Sequence, residues 1–394
     1  MNISLVAAFL FIPLLLYIYI RLNDAKLMRL SPNAESAFSP HRLTEEDAKR
    51  AATRLADNPI SIEGHLPPRT GRRYIVVGGA GFLGGWIVRH LLDRGEDPEC
   101  IRVLDLRLPT RKDLTIGRAT EVDFRLVDIS DKVAVDAAFH APWPTAASDH
   151  SDESSLETTV FHTAANIRFY ERHPDLLHLS DKVNVQGTEN IISAARSINT
   201  SVLVYTSSGS ISVRRTKFWL WPWQKEPDYF VQAITDDDTL IPKRHEHFFS
   251  NYAASKVKAE RLVRAADRSP TVSGTVLRTG CIRPGNGIYG PGGDILCGSY
   301  LVRQVNPTWI GNILQNFVYV ENGSLAHLCY ERRLIDIVQG ASNPDIGGQA
   351  FCITDAGPPV TYGDVYTTLN TLTDGLTVFP ELSATGMLLL SHLL

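Results

Sequence analysis

The sequence predicts an α/β protein with a doubly wound parallel sheet, a smaller C-terminal subdomain and an N-terminal transmembrane helix. From residue 73 onward, short runs rich in β-branched residues alternate with helical stretches. A glycine-rich turn joins the first run to the helix after it, and the first twenty residues carry no charged side chain. Alternating β and α units of this length are typical of a parallel sheet with helices on both faces.

The composition is that of a globular protein without a basic surface. Of 394 residues, 44% are hydrophobic and 21% are charged, and the formal net charge is -4. Nucleic-acid phosphates bind to a basic face, so we expect no nucleic-acid partner. The five cysteines are too scattered for a metal knuckle, and His245 and His247 have no third ligand nearby, so we expect no metal site.

The first twenty residues predict a membrane anchor. The run MNISLVAAFLFIPLLLYIYI (1–20) can cross a hydrocarbon layer of about 30 Å at about 1.5 Å per residue. It ends without a small-residue cleavage site, which favours an uncleaved anchor over a signal peptide or a buried helix. Arg21, Lys26 and Arg29 follow it, so the positive-inside rule predicts a single-pass protein with the remaining chain in the cytosol. The endoplasmic reticulum is the expected membrane.

Residues 21–71 are predicted to be a polar connector with one short helix. Thr44, with Asp47 three residues later, forms a capping-box-like start to EEDAKRAATRLAD. The stretch LPPRTG (66–71) then breaks the chain before the first strand. Farther along, the polar segment 144–159 is expected to be a surface insertion.

The predicted strands are the β-branched runs of the second region. They are YIVV (74–77), IRVLD (101–105), VDFRLVD (122–128), TVFHTAA (159–165), SVLVYTSS (201–208) and GTVLR (274–278). The intervening helices include GWIVRHLLDRG and VNVQGTENIISAARS.

A glycine pattern, Gly78-x-x-Gly81-x-x-Gly84, lies between the first predicted strand and the following helix. Gly78 allows a tight turn, Gly81 lets the backbone approach a pyrophosphate, and Gly84 allows close contact between helix and strand. The helix N-terminus, with Phe82 and Leu83, then faces the phosphates of a dinucleotide. This context predicts a Rossmann-type domain that binds NAD.

The end of the second predicted strand favours NAD over NADP. Asp105 lies 21 residues after Gly84, where a carboxylate accepts from both hydroxyls of an adenosine ribose and repels a 2′-phosphate. Arg107 could still pair with such a phosphate, which leaves NADP open. Asp128 and Ile129, at the end of the third predicted strand, are expected beside the adenine.

The stretch NYAASK supplies candidate catalytic residues. Tyr252 and Lys256 are four positions apart, so both side chains share one helical face. A nearby ammonium favours the phenolate, which can take the proton of an alcohol while the carbinol hydride leaves. In the preceding strand end, YTSSGS, we assign Ser208 to hold the substrate oxygen, with Ser207 as the alternative.

These residues resemble the extended short-chain dehydrogenases over about residues 72–370. Several stretches resemble the 3β-hydroxysteroid dehydrogenase group, most closely its fungal sterol C-3 dehydrogenases of the C4-decarboxylating type: YTSS, NYAASK, PGNGIYGPGGD, FVYVENGSLAH and QAFCITDAGPPVTYGDVY.

The resemblance implies a role for each matching residue. Ser208 and Tyr252 bind the reacting oxygen, Lys256 the nicotinamide ribose, the glycines the pyrophosphate and Asp105 the adenosine ribose. Ala164 and Ala165 lie beside the cofactor, and Asn184 on the helix behind it. Two positions depart from the pattern: Val77 replaces a threonine, and Thr279 replaces the proline after a Leu-Arg pair, so a local nicotinamide contact is expected to differ.

The function implied by the resemblance is oxidation of the 3β-hydroxyl of a sterol or triterpenoid, coupled to C4 decarboxylation, in sterol or specialised triterpenoid biosynthesis. Its expected partners are the sterol or triterpenoid, the lipid bilayer and other membrane-bound sterol-demethylation enzymes. The alternatives are a 3β-hydroxysteroid dehydrogenase with Δ5–Δ4 isomerase activity, a nucleotide-sugar epimerase or reductase on the same scaffold, and a non-catalytic scaffold that binds NAD.

The resemblance also divides the chain. Residues 72–290 are assigned to the NAD-binding domain, with a substrate-side insertion over about 210–250, and residues 291–394 to a substrate-binding subdomain. The insertion contains FWLWPW (218–223), which basic residues flank on both sides. Indole rings and cations both settle in the headgroup layer, so we interpret this segment as a membrane-facing lip, with a pocket wall or core packing as alternatives. The apolar end, 383–394, is open to three interpretations: a core helix, a membrane-associated tail or a truncated domain.

Overall fold

The computed structural model describes residues 3–30, 42–144 and 156–393, with side chains described from residue 11. Its strands are β1 (Arg73–Val77), β2 (Ile101–Asp105), β3 (Asp123–Leu126), β4 (Thr158–His162), β5 (Val202–Thr206), β6 (Ser269–Pro270), β7 (Val276–Pro284), β8 (Ile288–Tyr289), β9 (Leu314–Gln315), β10 (Val318–Tyr319), β11 (Ala350–Ile353) and β12 (Val360–Thr361). Its α-helices are α1 (Ile3–Leu27), α2 (Glu45–Asp57), α3 (Phe82–Asp93), α4 (Lys132–His140), α5 (Leu177–Asp181), α6 (Gly187–Ser197), α7 (Asn251–Ala265), α8 (Cys297–Arg303), α9 (Val320–Val338), α10 (Tyr362–Leu372) and α11 (Ala384–Leu393).

A parallel sheet with strand order β3-β2-β1-β4-β5-β7-β11 forms the centre, and β6 adds an antiparallel pairing to β7. Alternate side chains of β1 enter two separate cores. Tyr74 and Val76 pack with apolar residues of α3 and α9, while Ile75 and Val77 pack with those of α4, α6 and α7. Burial on both faces explains why these strands read as continuous apolar runs. The predicted doubly wound parallel sheet is confirmed.

The N-terminal connector contains its expected helix. Thr44 caps α2, and its side chain and that of Asp47 form the reciprocal bonds of a capping box. The helix packs against α10. Most of the predicted surface insertion, residues 145–155, lies outside the described residues, and the last two residues of that prediction belong to β4.

The predicted transmembrane helix is not confirmed. Within the part of the chain that the structure describes, no helix combines the length and apolar character needed to cross a bilayer. The apolar run belongs to α1, which continues past the predicted end at residue 20 into polar turns. There the Asn23 amide donates to Thr385 Oγ1 (2.7 Å) and the Lys26 ammonium to Pro222 O (2.8 Å). The prediction used the uncharged run, its missing cleavage site and the charges after it, none of which reveals these tertiary contacts.

The C-terminal part of the chain contributes both to the main sheet and to a smaller lobe. Strand β11 pairs with β7, and α9 lies against α3. The smaller lobe contains the remaining short strands, which pair as β8 with β10 and β9 with β12. Because the main strands are parallel, the loops after their C-terminal ends gather at one edge, where ligands bind in such sheets.

The contact between β7 and α9 predicts a stability effect. A Cβ at Gly280 would overlap the ring of Tyr330, so we expect Gly280→Ala to lower the free energy of unfolding by about 1–3 kcal/mol. The control is Gly298→Ala in α8, where a Cβ would meet nothing within 4 Å and where alanine is the better helix former. Urea unfolding checks both variants, and equal midpoints would contradict the expected overlap.

Candidate active site

The turn after β1 has the geometry of a dinucleotide-binding loop. Gly78 has a φ of +85°, and a Cβ there would lie 2.7 Å from both Ala164 N and Thr163 Oγ1. A Cβ at Gly84, in α3, would overlap the carbonyl oxygen of Gly78. Neither position can accept a side chain without displacing the turn, so these two glycines keep α3, β1 and the loop after β4 in contact.

The N-terminus of α3 is open to an anion. Its N-cap residue is Gly81, which offers no side-chain cap, so amide groups of the first turn remain for a ligand. Phe82 and Leu83 begin the helix; Leu83 is buried in the core, whereas Phe82 is half-buried and its carbonyl oxygen accepts from Arg111. The chain's own residues therefore fit a cofactor pyrophosphate at this turn, through backbone groups.

Asp105 lies beside this turn. One carboxylate oxygen accepts from Ala80 N (3.1 Å) and the other from Arg107 N (3.3 Å). Asp128 is at the same edge of the sheet, exposed, with its carboxylate bound to Ser130 N and Oγ. The side chain of Ile129 instead packs in the core, so only its backbone could face an adenine.

The loop after β4 crosses over the glycine turn. Ala164 N donates to Val77 O (3.1 Å), which places Ala164 and its neighbour Ala165 next to Gly78. Thr163 Oγ1 also donates to Val77 O (2.9 Å). Sequence reasoning missed Thr163, although it lies directly before the two alanines in the HTAA stretch.

Helix α7 brings Tyr252 and Lys256 to this edge. Ser250 caps the helix, and the two candidate residues are one turn apart. The Lys256 side chain is buried, with its ammonium donating to Thr206 O (2.6 Å) and lying 4.1 Å from the centroid of the Tyr205 ring. Burial lowers the pKa of Lys256 to about 7. Lys256 can therefore change its charge near neutral pH.

The two candidate serines face different ways. Burial raises the pKa of Tyr252 to about 12, while the Ser208 hydroxyl lowers it. Ser208 therefore lies beside the tyrosine, and its hydroxyl also contacts Ser210 Oγ at 2.8 Å. Ser207 is buried and donates to Glu260 Oε2 (2.6 Å), so it does not face the substrate side. This geometry favours Ser208 over Ser207; its catalytic role stays a prediction.

Asn184 connects the loop after β4 to the catalytic helix. It lies in a π-helical turn, Lys182–Gln186, between α5 and α6. Its Oδ1 accepts from Asn166 N (2.7 Å), and its Nδ2 donates to Ser255 Oγ (2.9 Å). The resemblance placed Asn184 behind the cofactor, and the structure gives it this bridging position.

Thr279, one of the two positions that depart from the family pattern, lies away from the site. Strand β7 does not end at Arg278, as predicted, but runs on to Pro284. Thr279 is in its interior, where the hydroxyl donates to Val263 O (2.6 Å). The end of the strand next to Ser208 carries Pro284, whose carbonyl oxygen would be 3.0 Å from a Cβ at Gly209. The expectation that Thr279 alters a nicotinamide contact is therefore wrong.

Together, the fold and this edge define a dinucleotide-binding dehydrogenase. A glycine turn that fits a pyrophosphate lies on the same edge as a tyrosine, a lysine and a serine suited to moving a hydroxyl proton. The chain matches the model of the 3-beta hydroxysteroid dehydrogenase/isomerase family over residues 75–376, and it belongs to that family. The predicted class of enzyme, a NAD(P)-dependent oxidoreductase acting on CH–OH groups, is thereby confirmed.

Several relatives are similar over most of this chain. A 3beta-hydroxysteroid-dehydrogenase/decarboxylase isoform 2 from Arabidopsis thaliana is 30% identical over 73% of this chain and 46% of its own length. The human 3 beta-hydroxysteroid dehydrogenase type 7 is 31% identical over 74% of this chain and 70% of its own. A sterol-4-alpha-carboxylate 3-dehydrogenase, decarboxylating, from Candida albicans is 28% identical over 72% and 70%. This chain thus spans less than half of the Arabidopsis relative.

Solved structures share the fold at lower identity. The UDP-glucose 4-epimerase of Thermus thermophilus, in complex with NAD, is 22% identical, with a TM-score of 0.50 over 79% of this chain and 85% of that one. MoeE5 in complex with UDP-glucuronic acid and NAD is 20% identical, with a TM-score of 0.53 over 79% and 86%. At these identities the likeness supports the fold.

The site predicts a large loss of activity in Tyr252→Phe. Removing the hydroxyl removes the group that would accept the alcohol proton, so we expect kcat to fall at least about 100-fold, with little change in NAD affinity. NADH formation from a 3β-hydroxysteroid measures kcat, and the quenching of protein fluorescence by NAD measures the affinity for NAD. Tyr170→Phe, at an exposed tyrosine, is the control. An unchanged rate in Tyr252→Phe would point to a scaffold or to another mechanism.

Proposed function

We propose that this protein oxidises the 3β-hydroxyl of a sterol or triterpenoid that carries a C4 carboxylate, with loss of carbon dioxide. The observation that carries the proposal is the placement of Ser208, Tyr252 and Lys256 at the same edge as the glycine turn. Family membership supports the 3β-hydroxyl, and relatives named as decarboxylating sterol-4-alpha-carboxylate dehydrogenases support the coupled loss of carbon dioxide.

In this proposal the chain's residues bind the alcohol and move its proton. Ser208 donates to the substrate oxygen, and Tyr252 accepts the hydroxyl proton. The pKa of Tyr252, raised by burial to about 12 although the Ser208 hydroxyl lowers it, must fall further for this transfer. A charged Lys256 one turn away would favour the phenolate. The bound nicotinamide supplies the acceptor for the hydride.

The loss of carbon dioxide then needs no further oxidant. Oxidation of C3 beside a C4 carboxylate gives a β-keto acid. When the bond from C4 to the carboxyl carbon breaks, its electron pair moves toward the C3 carbonyl, which becomes an enolate and then takes up a proton. Hydride removal is therefore the step that the protein must catalyse.

A cavity in the smaller lobe favours an apolar ligand over a nucleotide sugar. It measures about 340 Å³, within the range of small-molecule sites, and its apolar lining includes Leu296, Phe317 and Leu369. None of the described residues that line it is Lys or Arg, whereas a diphosphate would require cations. Its one acidic residue, Asp355, is occupied by Tyr289 Oη, Tyr319 N and Asn322 Nδ2.

We further propose NAD as the preferred cofactor. The Asp105 carboxylate, next to the glycine turn, would accept from ribose hydroxyls and repel a 2′-phosphate. Because Arg107, two positions after Asp105, could pair with such a phosphate, NADP requires a direct comparison.

We also propose that the aromatic segment FWLWPW touches a bilayer surface. Phe218 and Leu220 point inward and pack with Leu27 and Ile310. Trp221 and Trp223 point outward with 65% and 75% exposure and stack at 5.2 Å between ring centroids. Exposed cations flank them at Arg215, Lys217 and Lys225. Indole rings with cations on either side suit the headgroup layer.

The proposed reaction predicts a specific product. With a 4-carboxysterol and NAD, we expect a 3-ketone that lacks one carbon dioxide and two hydrogens, detected by mass spectrometry. UDP-sugars are assayed in parallel, and each reaction is repeated with NADP. Turnover confined to UDP-sugars would overturn the steroid assignment, and a shifted double bond would indicate the isomerase alternative. A higher kcat/KM with NADP would overturn the cofactor preference.

The proposed bilayer contact predicts a difference between two ways of presenting substrate. Trp221→Ser with Trp223→Ser should raise the apparent KM for sterol in anionic vesicles at least about tenfold, since each buried indole is worth more than about 1 kcal/mol, and should change the KM for detergent-solubilised sterol less. The control pair is Val133→Ser with Val272→Ser, at 77% and 78% exposure on α4 and after β6. Equal effects on both presentations would count against the contact.

A further inference from the structure

Glu260 is a buried carboxylate one turn beyond Lys256 on α7. It is 2% exposed and lies at the same spacing from Lys256 as Lys256 from Tyr252. Its oxygens accept from Ser207 Oγ (2.6 Å) and from the Arg283 guanidinium (2.9 and 2.5 Å). The Arg264 guanidinium lies 3.4 Å away. Charge-assisted bonds of this kind are short and directional, so the carboxylate is held in one place.

On one side, Glu260 reaches the active-site strand end. Ser207 is the residue before Ser208, and its amide donates to Ile282 O (2.7 Å) while its hydroxyl donates to Glu260. Backbone and side chain of Ser207 are therefore both held. Because Ser207 is fixed in this way, the position of the next residue, Ser208, relative to Tyr252 is fixed as well.

On the other side, Glu260 reaches the substrate-side insertion. Arg283, which binds Glu260, also donates to Asp238 Oδ1 (2.5 Å), and Arg264 donates to Asp238 Oδ2 (2.6 Å). Asp238 lies in a short 3₁₀ turn within the insertion. One cluster of two arginines and two carboxylates thus joins α7, the end of β7 and the insertion.

We infer that Glu260 is a positioning residue of this active site. Through Ser207 it fixes Ser208 opposite Tyr252, and through Arg283 it holds the insertion against α7. It does not touch the reacting atoms. The inference rests on the proposed function for its kinetic consequences, whereas its structural consequences are independent of any substrate.

The charge of Glu260 also acts on Lys256. Burial lowers the pKa of Lys256, and Cys281 and Glu260 raise it. Burial raises the pKa of Cys281 well above its usual range, so that thiol is uncharged at neutral pH, and the Glu260 carboxylate is the other neighbour that raises the pKa of Lys256. The Tyr205 ring, the Thr206 carbonyl oxygen and His162, whose pKa burial lowers to about 3, also lie near Lys256. A negative charge favours the protonated amine, so its removal lowers the pKa of Lys256.

The test compares Glu260→Gln with Glu331→Gln. Glu331 is also a fully buried carboxylate paired to an arginine, but it bonds Arg94 and Thr159, away from Tyr252 and Lys256. With a 3β-hydroxysteroid and NAD, we expect Glu260→Gln to lower kcat about 10- to 100-fold, the range for a small displacement of catalytic groups, with the KM for NAD within about twofold. The alkaline limb of its pH profile, where Lys256 loses its proton, should move to lower pH. Glu331→Gln should keep kcat within about twofold and leave the pH profile unchanged.

A second measurement does not depend on activity. Hydrogen–deuterium exchange should rise in residues 207–213 and 238–241 of Glu260→Gln and stay at the wild-type level there in Glu331→Gln. Ser207→Ala removes only one of the bonds to Glu260, so it should accelerate exchange in 207–213 alone. It also serves if Glu260→Gln fails to fold.

The outcomes separate the two proposals. Wild-type protein that oxidises no 3β-hydroxysteroid would overturn the proposed function, while the exchange data would still test Glu260. Unchanged exchange in both Glu260→Gln and Ser207→Ala would overturn the positioning role. An equal loss of kcat in Glu260→Gln and Glu331→Gln, with no movement of the pH profile, would show that Glu260 contributes only to the stability of the fold. That result would also overturn the positioning role.

Discussion

The position of helix α7 is the constraint on which the rest of the active site depends. Its residue Lys256 is 1% exposed, and the ammonium donates to Thr206 O at the end of β5. A buried cation is costly unless its donors are satisfied, so this bond opposes sliding of α7 along the sheet. Because Tyr252 is one turn from Lys256, its own position follows from the same contact.

Hydrogen bonds connect this helix to the cofactor turn. Thr163 donates to Val77 O beside Gly78, and three residues later in the same loop Asn166 N donates to Asn184. Asn184 in turn donates to Ser255 Oγ on α7. The loop after β4 therefore contacts both the glycine turn and α7, so a shift of the glycine turn would also displace the catalytic helix. These hydrogen bonds therefore position the glycine turn and Tyr252 relative to each other, although the two are far apart in sequence.

What could be predicted from the sequence was local. The glycine spacing predicts the turn because backbone conformation and close approach depend on a few neighbouring residues, as Gly78 and Gly84 show. The choice between the two serines depended on Glu260, 53 residues away. The predicted strand ended at Arg278, whereas β7 runs on through Arg283, a buried cation that a strand accommodates only because Glu260 pairs with it. The continuation of α1 into polar, packed turns likewise depends on distant residues.

The aromatic segment shows why composition alone could not decide between core and surface. Consecutive residues of an extended chain face opposite ways, so Phe218 and Leu220 enter a small core while Trp219 and Trp221 face outward. Trp223 lies in the turn that follows and is also exposed. The segment is attached through its inner side chains, and Trp219 stacks with Tyr19 at 6.3 Å between centroids. Trp221 and Trp223 are therefore exposed on a segment that is already held in place. Because the segment is already fixed, these two exposed indoles can contact an apolar partner without a further folding step.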